Sequence, residues 1–510
     1  MRRIRRVRER IVVHPIMTFV VLILGTILLS GLLNWFNVNS YYSTLGPKGY
    51  EPIFVSVESL LNVGGIKFIF SNTVANFATF TPLTMLLIVL IGIGIMDKSG
   101  FLDAFFYVVT NRISKRAVTF TLSLICILAS IVGDLSFIVL IPLAALLFKY
   151  GKRNPKAGIV CAFASLACGI GINILMNSVD ASLLEFTLQG AKLLTTEYTI
   201  NIYANSFIMF VTAVALASII ASVTEKSIIP QLGRFELEND DEEITLTKRQ
   251  KRALIVAVLC GIAYILIFVY NIIPGLPFSG NLLDNSQIYY IDKLFGYNSF
   301  FNQGFVFIVT VFCIILGLSY GLMVKNIKNH RDFCACLSHS LDGVGKVIVL
   351  ILLASMFIFI FKQTNIGPVL VASFANVINN SGFTGVPLIL LVFLLSAVAT
   401  IFVPGSANKW IILSGVVVPV FMNAGMSPEF ATVVFRAGEC VTYALTPVMA
   451  YFVIYIAFME LYSGEDSDTI FGNMRYLLPY AGYTLILWLI ILLAFYIIGI
   501  PLGISALPTL

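Results

Sequence analysis

The sequence predicts an all-α polytopic membrane protein with nine transmembrane helices plus two re-entrant hairpins in an inverted repeat. Three observations predict it. The chain is 59% hydrophobic and 11% charged, whereas a soluble domain carries about 25% charge. Many of its apolar runs have the length of a bilayer span, about 20 residues. Two further runs, Ala117–Leu147 and Val386–Ala424, are too long for one helix and are interrupted by polar residues near their middle.

The clear spans are Ile16–Phe36, Asn205–Val223, Leu254–Ile273, Phe305–Val324 and Leu477–Ile498. Shorter or interrupted ones are Pro82–Met96, Ala157–Leu175, Val347–Phe361 and Phe430–Glu460. Ala117–Leu147 breaks at Gly133-Asp134-Leu135-Ser136 and has basic residues on both flanks, Arg112, Lys115 and Arg116 before it and Lys149, Lys152, Arg153 and Lys156 after it. Both flanks therefore belong on the cytoplasmic side, which makes the segment a hairpin. Val386–Ala424 breaks at Pro404-Gly405-Ser406. Irregular backbone at membrane depth is tolerated where it is buried in protein or lines a cavity.

With the amino terminus inside and each span reversing direction, only Lys48, Lys67, Lys192, Lys293 and Lys362 fall outside, while Lys409 and Arg436 fall within the membrane. All other Lys and Arg residues, including six in Met1–Arg10, are cytoplasmic, and the carboxyl terminus is external. Met1–Arg10 and the first span read as an uncleaved anchor, since no small-residue cleavage pattern follows. The acidic stretch Glu236–Glu243 and the basic stretch Lys248–Arg252 read as a solvated linker. The positive charges sit in short loops between spans, so the +6 net charge is no nucleic-acid signal.

The halves share an order of elements. Residues 1–223 form the first repeat, with its hairpin at about 117–147. Residues 224–304 hold the linker, a connecting span and an external loop. Residues 305–510 form the second repeat, with its hairpin at about 386–424. The single connecting span inverts the second half. Local echoes are Ala129-Ser130-Ile131 against Ala399-Thr400-Ile401, and Pro155 against Pro428. Inverted repeats with broken helices mark secondary transporters.

Intramembrane charges single out the candidate site. Arg436 stands in an almost wholly apolar stretch with Glu439 at i+3, on the same helix face. A guanidinium in a span is costly and faces a solute or ion path, and its fork suits a carboxylate. Lys409 adds charge beside the second tip, where Ser406 and Asn408 also stand, and Trp410 offers a flat ring for stacking. Asp134 and Ser136 lie at the first tip. The broken span after it offers oxygens from Asn173, Asn177 and Ser178, ending at Asp180. Hard cations such as sodium take oxygen ligands. Thr442, Thr446 and Pro447 interrupt the second broken span opposite Asn173. The combined reading is a cationic, aromatic site for an organic anion next to an ion site, with sodium or protons as coupling ion and no other cofactor.

The residues exclude several classes. No Walker A loop, HExxH or GxSxG pattern occurs, and no nucleophile–base pair points to an enzyme. Cys334 and Cys336 lack zinc-site spacing. An anion channel on the same hairpins, or an importer of another organic anion, is the competing reading.

Several motifs, Ser406-Ala-Asn-Lys-Trp410, Val418-Pro-Val-Phe-Met422, Gly425-Met-Ser-Pro428, Arg436-Ala-Gly-Glu-Cys-Val-Thr442 and Thr446-Pro447, resemble the p-aminobenzoyl-glutamate transporter (AbgT) family. So do Asn76 to Leu83, Gly92-Ile-Gly94 and Asn177-Ser-Val-Asp180. The resemblance implies a bacterial inner-membrane homodimer in which each chain has nine spans and two hairpins. It implies ion-driven transport of p-aminobenzoyl-glutamate-like compounds, or export of sulfonamides. By motif it implies roles for Asp180, Trp410, Pro428 and Arg436. Thr400 stands where the family commonly has Asn, Glu439 where Asp is usual and Asn408 where Ser is usual. The first two bear on the ion site, for which Asn173, Thr400 and Glu439 are the candidate sodium ligands, and the third bears on substrate choice.

Overall fold

The computed structural model describes residues 14–46, 49–174, 177–233, 246–287, 290–296, 299–339, 341, 344–463 and 469–510. The basic stretch Met1–Arg10 and the acidic stretch Glu236–Glu243 lie outside the described residues. Among those described, nine helices are long and apolar enough to cross a membrane. Two of them differ from the predicted spans. Lys115–Val132 and Gly385–Phe402 are first arms of the hairpins. The predicted spans Ala157–Leu175 and Phe430–Glu460 are instead each built from two pieces, Pro155–Cys168 followed by Ser178–Lys192, and Pro428–Thr442 followed by Phe452–Leu461.

Local chemistry explains these breaks. Cys168 is followed by Gly169 and Gly171, which weaken the helix, and Asn177 then caps a new one. In the second half Pro447 lacks the N–H that helix continuation needs, and a short 3-10 turn, Tyr443–Leu445, precedes it. Pro82 likewise marks a boundary: Val63–Ala78 ends before it and Thr81–Lys98 carries it in its first turn. The earlier helix escapes a hydropathy reading because Lys67, Asn72 and Asn76 interrupt it. An antiparallel ribbon, Asn39–Gly46 with Gly49–Ser56, is a β element that the span analysis passes over.

The first hairpin comprises Lys115–Leu128, the turn Ala129–Val132 and Leu135–Tyr150. Gly133 turns the chain with φ 70°, a conformation that favours glycine. Its outer ends lie together, because the Arg153 guanidinium donates to the Lys115 carbonyl at 3.4 Å and to Thr119 Oγ1 at 3.0 Å. Arg153 also pairs with Glu225. The second hairpin comprises Gly385–Phe402 and Ser406–Asn423. Its first arm begins beside Tyr496, whose hydroxyl a side chain at Gly385 would touch at 3.3 Å, and Phe430, on the helix that follows the second arm, stacks on the Tyr496 ring at 6.0 Å.

Helix Ser206–Val223 relates the two hairpins. Next to its last turn is Glu225, bound to Arg153. At its first turn, Phe207 N–H donates to the Leu502 carbonyl at 3.0 Å, just beyond Tyr496. Helix Leu478–Ile498 runs antiparallel beside it, with Tyr480 and Thr224 hydroxyls 2.7 Å apart at one end and Phe495 against Phe207 at the other. The hairpins therefore open at opposite ends of Ser206–Val223. The halves also exchange partners, since Pro15–Trp35 packs on Gly345–Gln363 and Thr81–Lys98 packs on Phe300–Val324.

Candidate functional site

Helix Pro428–Thr442 carries the central residues. Ser427 caps it, its hydroxyl oxygen accepting from Phe430 N–H at 3.2 Å. Pro428 fills the first position, where a missing N–H costs nothing. Eight residues on, about 12 Å along the axis, Arg436 reaches four groups. Nη1 donates to Ser406 Oγ at 2.7 Å and pairs with Glu439 Oε2 at 2.8 Å. Nη2 donates to the Ile170 carbonyl at 2.7 Å and lies 3.4 Å from Asp180 Oδ1. The close approach of the first broken span needs Gly171: a Cβ there would sit 2.9 Å from Cys440 Sγ and 3.0 Å from the Arg436 carbonyl.

Glu439 is shared. Its other oxygen lies 2.7 Å from Lys409 Nζ, and the ammonium donates to Thr400 Oγ1 at 2.7 Å. Lys409 and Glu439 are fully buried and Arg436 is 3% exposed. The result is a chain of alternating sign, Lys409, Glu439, Arg436, Asp180. Buried charges persist when each is paired and hydrogen-bonded, and this chain achieves that with a net charge of zero. The cationic site expected from the sequence is therefore a neutral one, because the two acids compensate the two bases.

Asp180 ends the chain and belongs to a capping box: Asn177 Oδ1 accepts from Asp180 N–H at 2.9 Å, and Asp180 Oδ2 accepts from Asn177 N–H at 3.2 Å. Asn173 Nδ2 donates to Asp180 Oδ2 at 2.7 Å. The first tip is tied in through Ser130, whose hydroxyl donates to Asn173 Oδ1 at 2.5 Å while its carbonyl accepts from Asn177 Nδ2 at 3.0 Å. Sequence reasoning did not select Ser130, although its place in the Ala129-Ser130-Ile131 echo makes it the counterpart of Thr400.

The remaining expected residues are dispersed. Asn173 binds on the Asp180 side, whereas Thr400 and Glu439 converge on Lys409, so the three candidate sodium ligands do not share one point. Asp134 is exposed at the first tip and accepts from the Tyr443 hydroxyl at 3.4 Å, outside the charge chain. Thr442 Oγ1 donates to the Ala397 carbonyl at 2.6 Å, tying the broken span to the second hairpin. Among the described residues no group of three or more His, Cys, Asp and Glu side chains could hold a metal ion.

Trp410 is not an open stacking platform. It is fully buried, packed on Phe435 with centroids 4.5 Å apart. Its Nε1 donates to Thr187 Oγ1 at 2.8 Å, and that hydroxyl meets Thr432 Oγ1 at 2.9 Å. Nothing in the local sequence marks Thr187, which lies far from Trp410 along the chain. Replacing Thr187 by valine leaves the indole N–H without its acceptor, a loss of about 1–3 kcal/mol. A lowered melting temperature, with Thr187→Ser close to wild type, is the expected result of a thermal melt.

Two clefts flank the charge chain. One, of about 70 Å³, is lined by Asn173, Asp180, Thr187, Tyr203, Glu429 and Arg436. The other, of about 390 Å³, is lined by Lys362, Pro404, Gly405, Asn408, Tyr443 and Met449. Asp180 and Arg436 thus face one cleft and Asn408 the other, while Lys409, Glu439 and Trp410 lie between neighbouring helices.

The family model of the AbgT transporters matches residues 2–510. A p-aminobenzoyl-glutamate transport protein of Escherichia coli (strain K12) is 26% identical over 497 residues, covering 98% of this chain and 94% of that protein. Two solved structures are also similar. The Alcanivorax borkumensis YdaH transporter is 27% identical with a TM-score of 0.48, covering 96% of this chain and 100% of that one. Neisseria gonorrhoeae MtrF, described with a class of antimetabolite efflux pumps, is 27% identical with a TM-score of 0.48, covering 98% of each chain.

Proposed function

This chain belongs to the AbgT transporter family, and from that premise we propose that it is a secondary carrier for aromatic carboxylates such as p-aminobenzoyl-glutamate. It is a membrane transporter and not an enzyme. We further assign it the export of sulfonamide antimetabolites and coupling to a sodium or proton gradient. On the distribution of Lys and Arg we place the amino terminus in the cytoplasm of a bacterial cell and the carboxyl terminus outside the inner membrane. On family resemblance we assign a homodimer.

The observation that carries this reading is the contact between Arg436 and Asp180. At 3.4 Å it is the longest link in the charge chain, and both residues line the first cleft. A solute carboxylate arriving there competes with Asp180 for Nη2 and gains a charge-assisted hydrogen bond. Charge balance then supplies the coupling. The empty chain is neutral, so an added carboxylate leaves one uncompensated negative charge in a buried place, which is strongly unfavourable. A cation or proton taken up at the released Asp180 compensates one such carboxylate, and p-aminobenzoyl-glutamate carries two. Occupancy by the anion and by the cation is therefore linked at this site, and opposite-facing hairpins provide the alternating surfaces for inverted-repeat transport.

The test is flux of labelled p-aminobenzoyl-glutamate and of a labelled sulfonamide in proteoliposomes under imposed sodium and pH gradients. Accumulation beyond equilibrium that collapses with one gradient is expected. Flux indifferent to both gradients, or ionic current without accumulation, rejects the coupled carrier.

A further inference from the structure

We infer that the Lys409 ammonium is a built-in occupant of the position between Thr400 and Glu439, and that sodium does not bind there. Three elements converge on that point. Thr400 comes from the first arm of the second hairpin, Lys409 from the first turn of its second arm, and Glu439 from the broken span. Nζ lies 2.7 Å from Glu439 Oε1 and 2.7 Å from Thr400 Oγ1. The Phe435 ring covers it at 5.7 Å, within reach of a cation–π contact.

Glu439 Oε1 and Thr400 Oγ1 are oxygens of the kind a small monovalent cation takes, but here the cation is covalently tethered. Lys409 has no exposed surface, so sodium cannot share the position. Two unit charges about 4 Å apart repel strongly in a medium of low dielectric, and Glu439 has already divided its two oxygens between Lys409 and Arg436. Displacing the ammonium would bury a lysine charge without its carboxylate, which is costly. The tether also gives Lys409 the structural work of an ion, joining both arms of the hairpin to the broken span. Lys409 is then no substrate ligand, and a sodium gradient exerts no force through this position.

The inference rests on the transporter reading for its bearing on coupling, but its test uses no solute. Purified full-length protein is assayed for equilibrium binding of radioactive sodium. It is also melted in sodium chloride, methylammonium chloride and choline chloride at equal ionic strength. Any sodium binding by the wild type is expected to be unchanged by Thr400→Val. Lys409→Ala vacates the position, and sodium or methylammonium is expected to raise its melting temperature saturably. The double variant Lys409→Ala/Thr400→Val should lose that rise. Wild-type sodium binding abolished by Thr400→Val overturns the inference, as does a folded Lys409→Ala protein that neither cation stabilises. If Lys409→Ala does not fold, the Thr400→Val comparison decides alone, since an absence of wild-type sodium binding also supports the tethered cation. Loss of solute flux with these binding results intact would count against the proposed function and leave this inference standing.

Discussion

Arg436→Ala is expected to abolish solute flux and to lower the melting temperature. The substitution removes the only cation touching Asp180 among the described contacts and one of the two on Glu439. Breaking a buried pair by deleting one partner costs about 3–5 kcal/mol. Here the deletion also strips a donor from Ser406 and from the Ile170 carbonyl. Arg436→Lys keeps the charge but not the fork, and a single ammonium does not reach all four groups. It should fold better than Arg436→Ala while its flux falls by about tenfold or more, the equivalent of roughly 1.4 kcal/mol. Flux in proteoliposomes and thermal melting of the same preparations check both statements. Wild-type flux in Arg436→Ala would remove the guanidinium from the transport path.

Gly438→Val is expected to have the next largest effect, although Gly438 touches neither solute nor ion. A Cβ at this position would lie 2.4 Å from the Phe393 carbonyl and 2.7 Å from Ser396 Cβ. Backbone cannot yield as a side chain does, so Gly385–Phe402 and Pro428–Thr442 must separate. Overpacking of this kind costs about 1–3 kcal/mol. Separation also draws Glu439 away from Thr400, which stands on the other side of the same interface. The expected outcome is reduced stability together with reduced flux, and even Gly438→Ala should show it. Gly482→Ala is the control, since a Cβ there meets nothing within 4 Å. It should melt at or above the wild-type temperature, because alanine favours a helix by about 0.5–1 kcal/mol over glycine. Equal melting curves for the Gly438 and Gly482 variants would refute the close-packing argument.

Much of the site was legible because its signals are local. Arg436 and Glu439 lie three residues apart on one helix, and their pairing follows from helical geometry. The breaks at Gly133 and Pro404-Gly405 follow from backbone chemistry. The ribbon at Asn39–Ser56 and the helix Val63–Ala78 escaped because their residues mix polar and apolar types, which a hydropathy window averages away. Trp410 was misread for a different reason. A tryptophan beside a helix break has the same local sequence whether its ring faces a cavity or a wall, and only the approach of Phe435 and Thr187 decides between them.

By itself, the sequence determined that this chain lives in a bilayer, where its helices must stop, and which charges have no business in an apolar segment unless they are compensated. Each of these follows from neighbours a few residues apart. Only the tertiary structure decided how the compensation is made: Lys409 and Arg436 share Glu439, Arg436 reaches across to Asp180, and the sum is neutral. The physical reason is that a buried charge is stabilised by whichever opposite charge packing brings within a few ångströms. That distance is set by how the two hairpins and two broken spans close on one another.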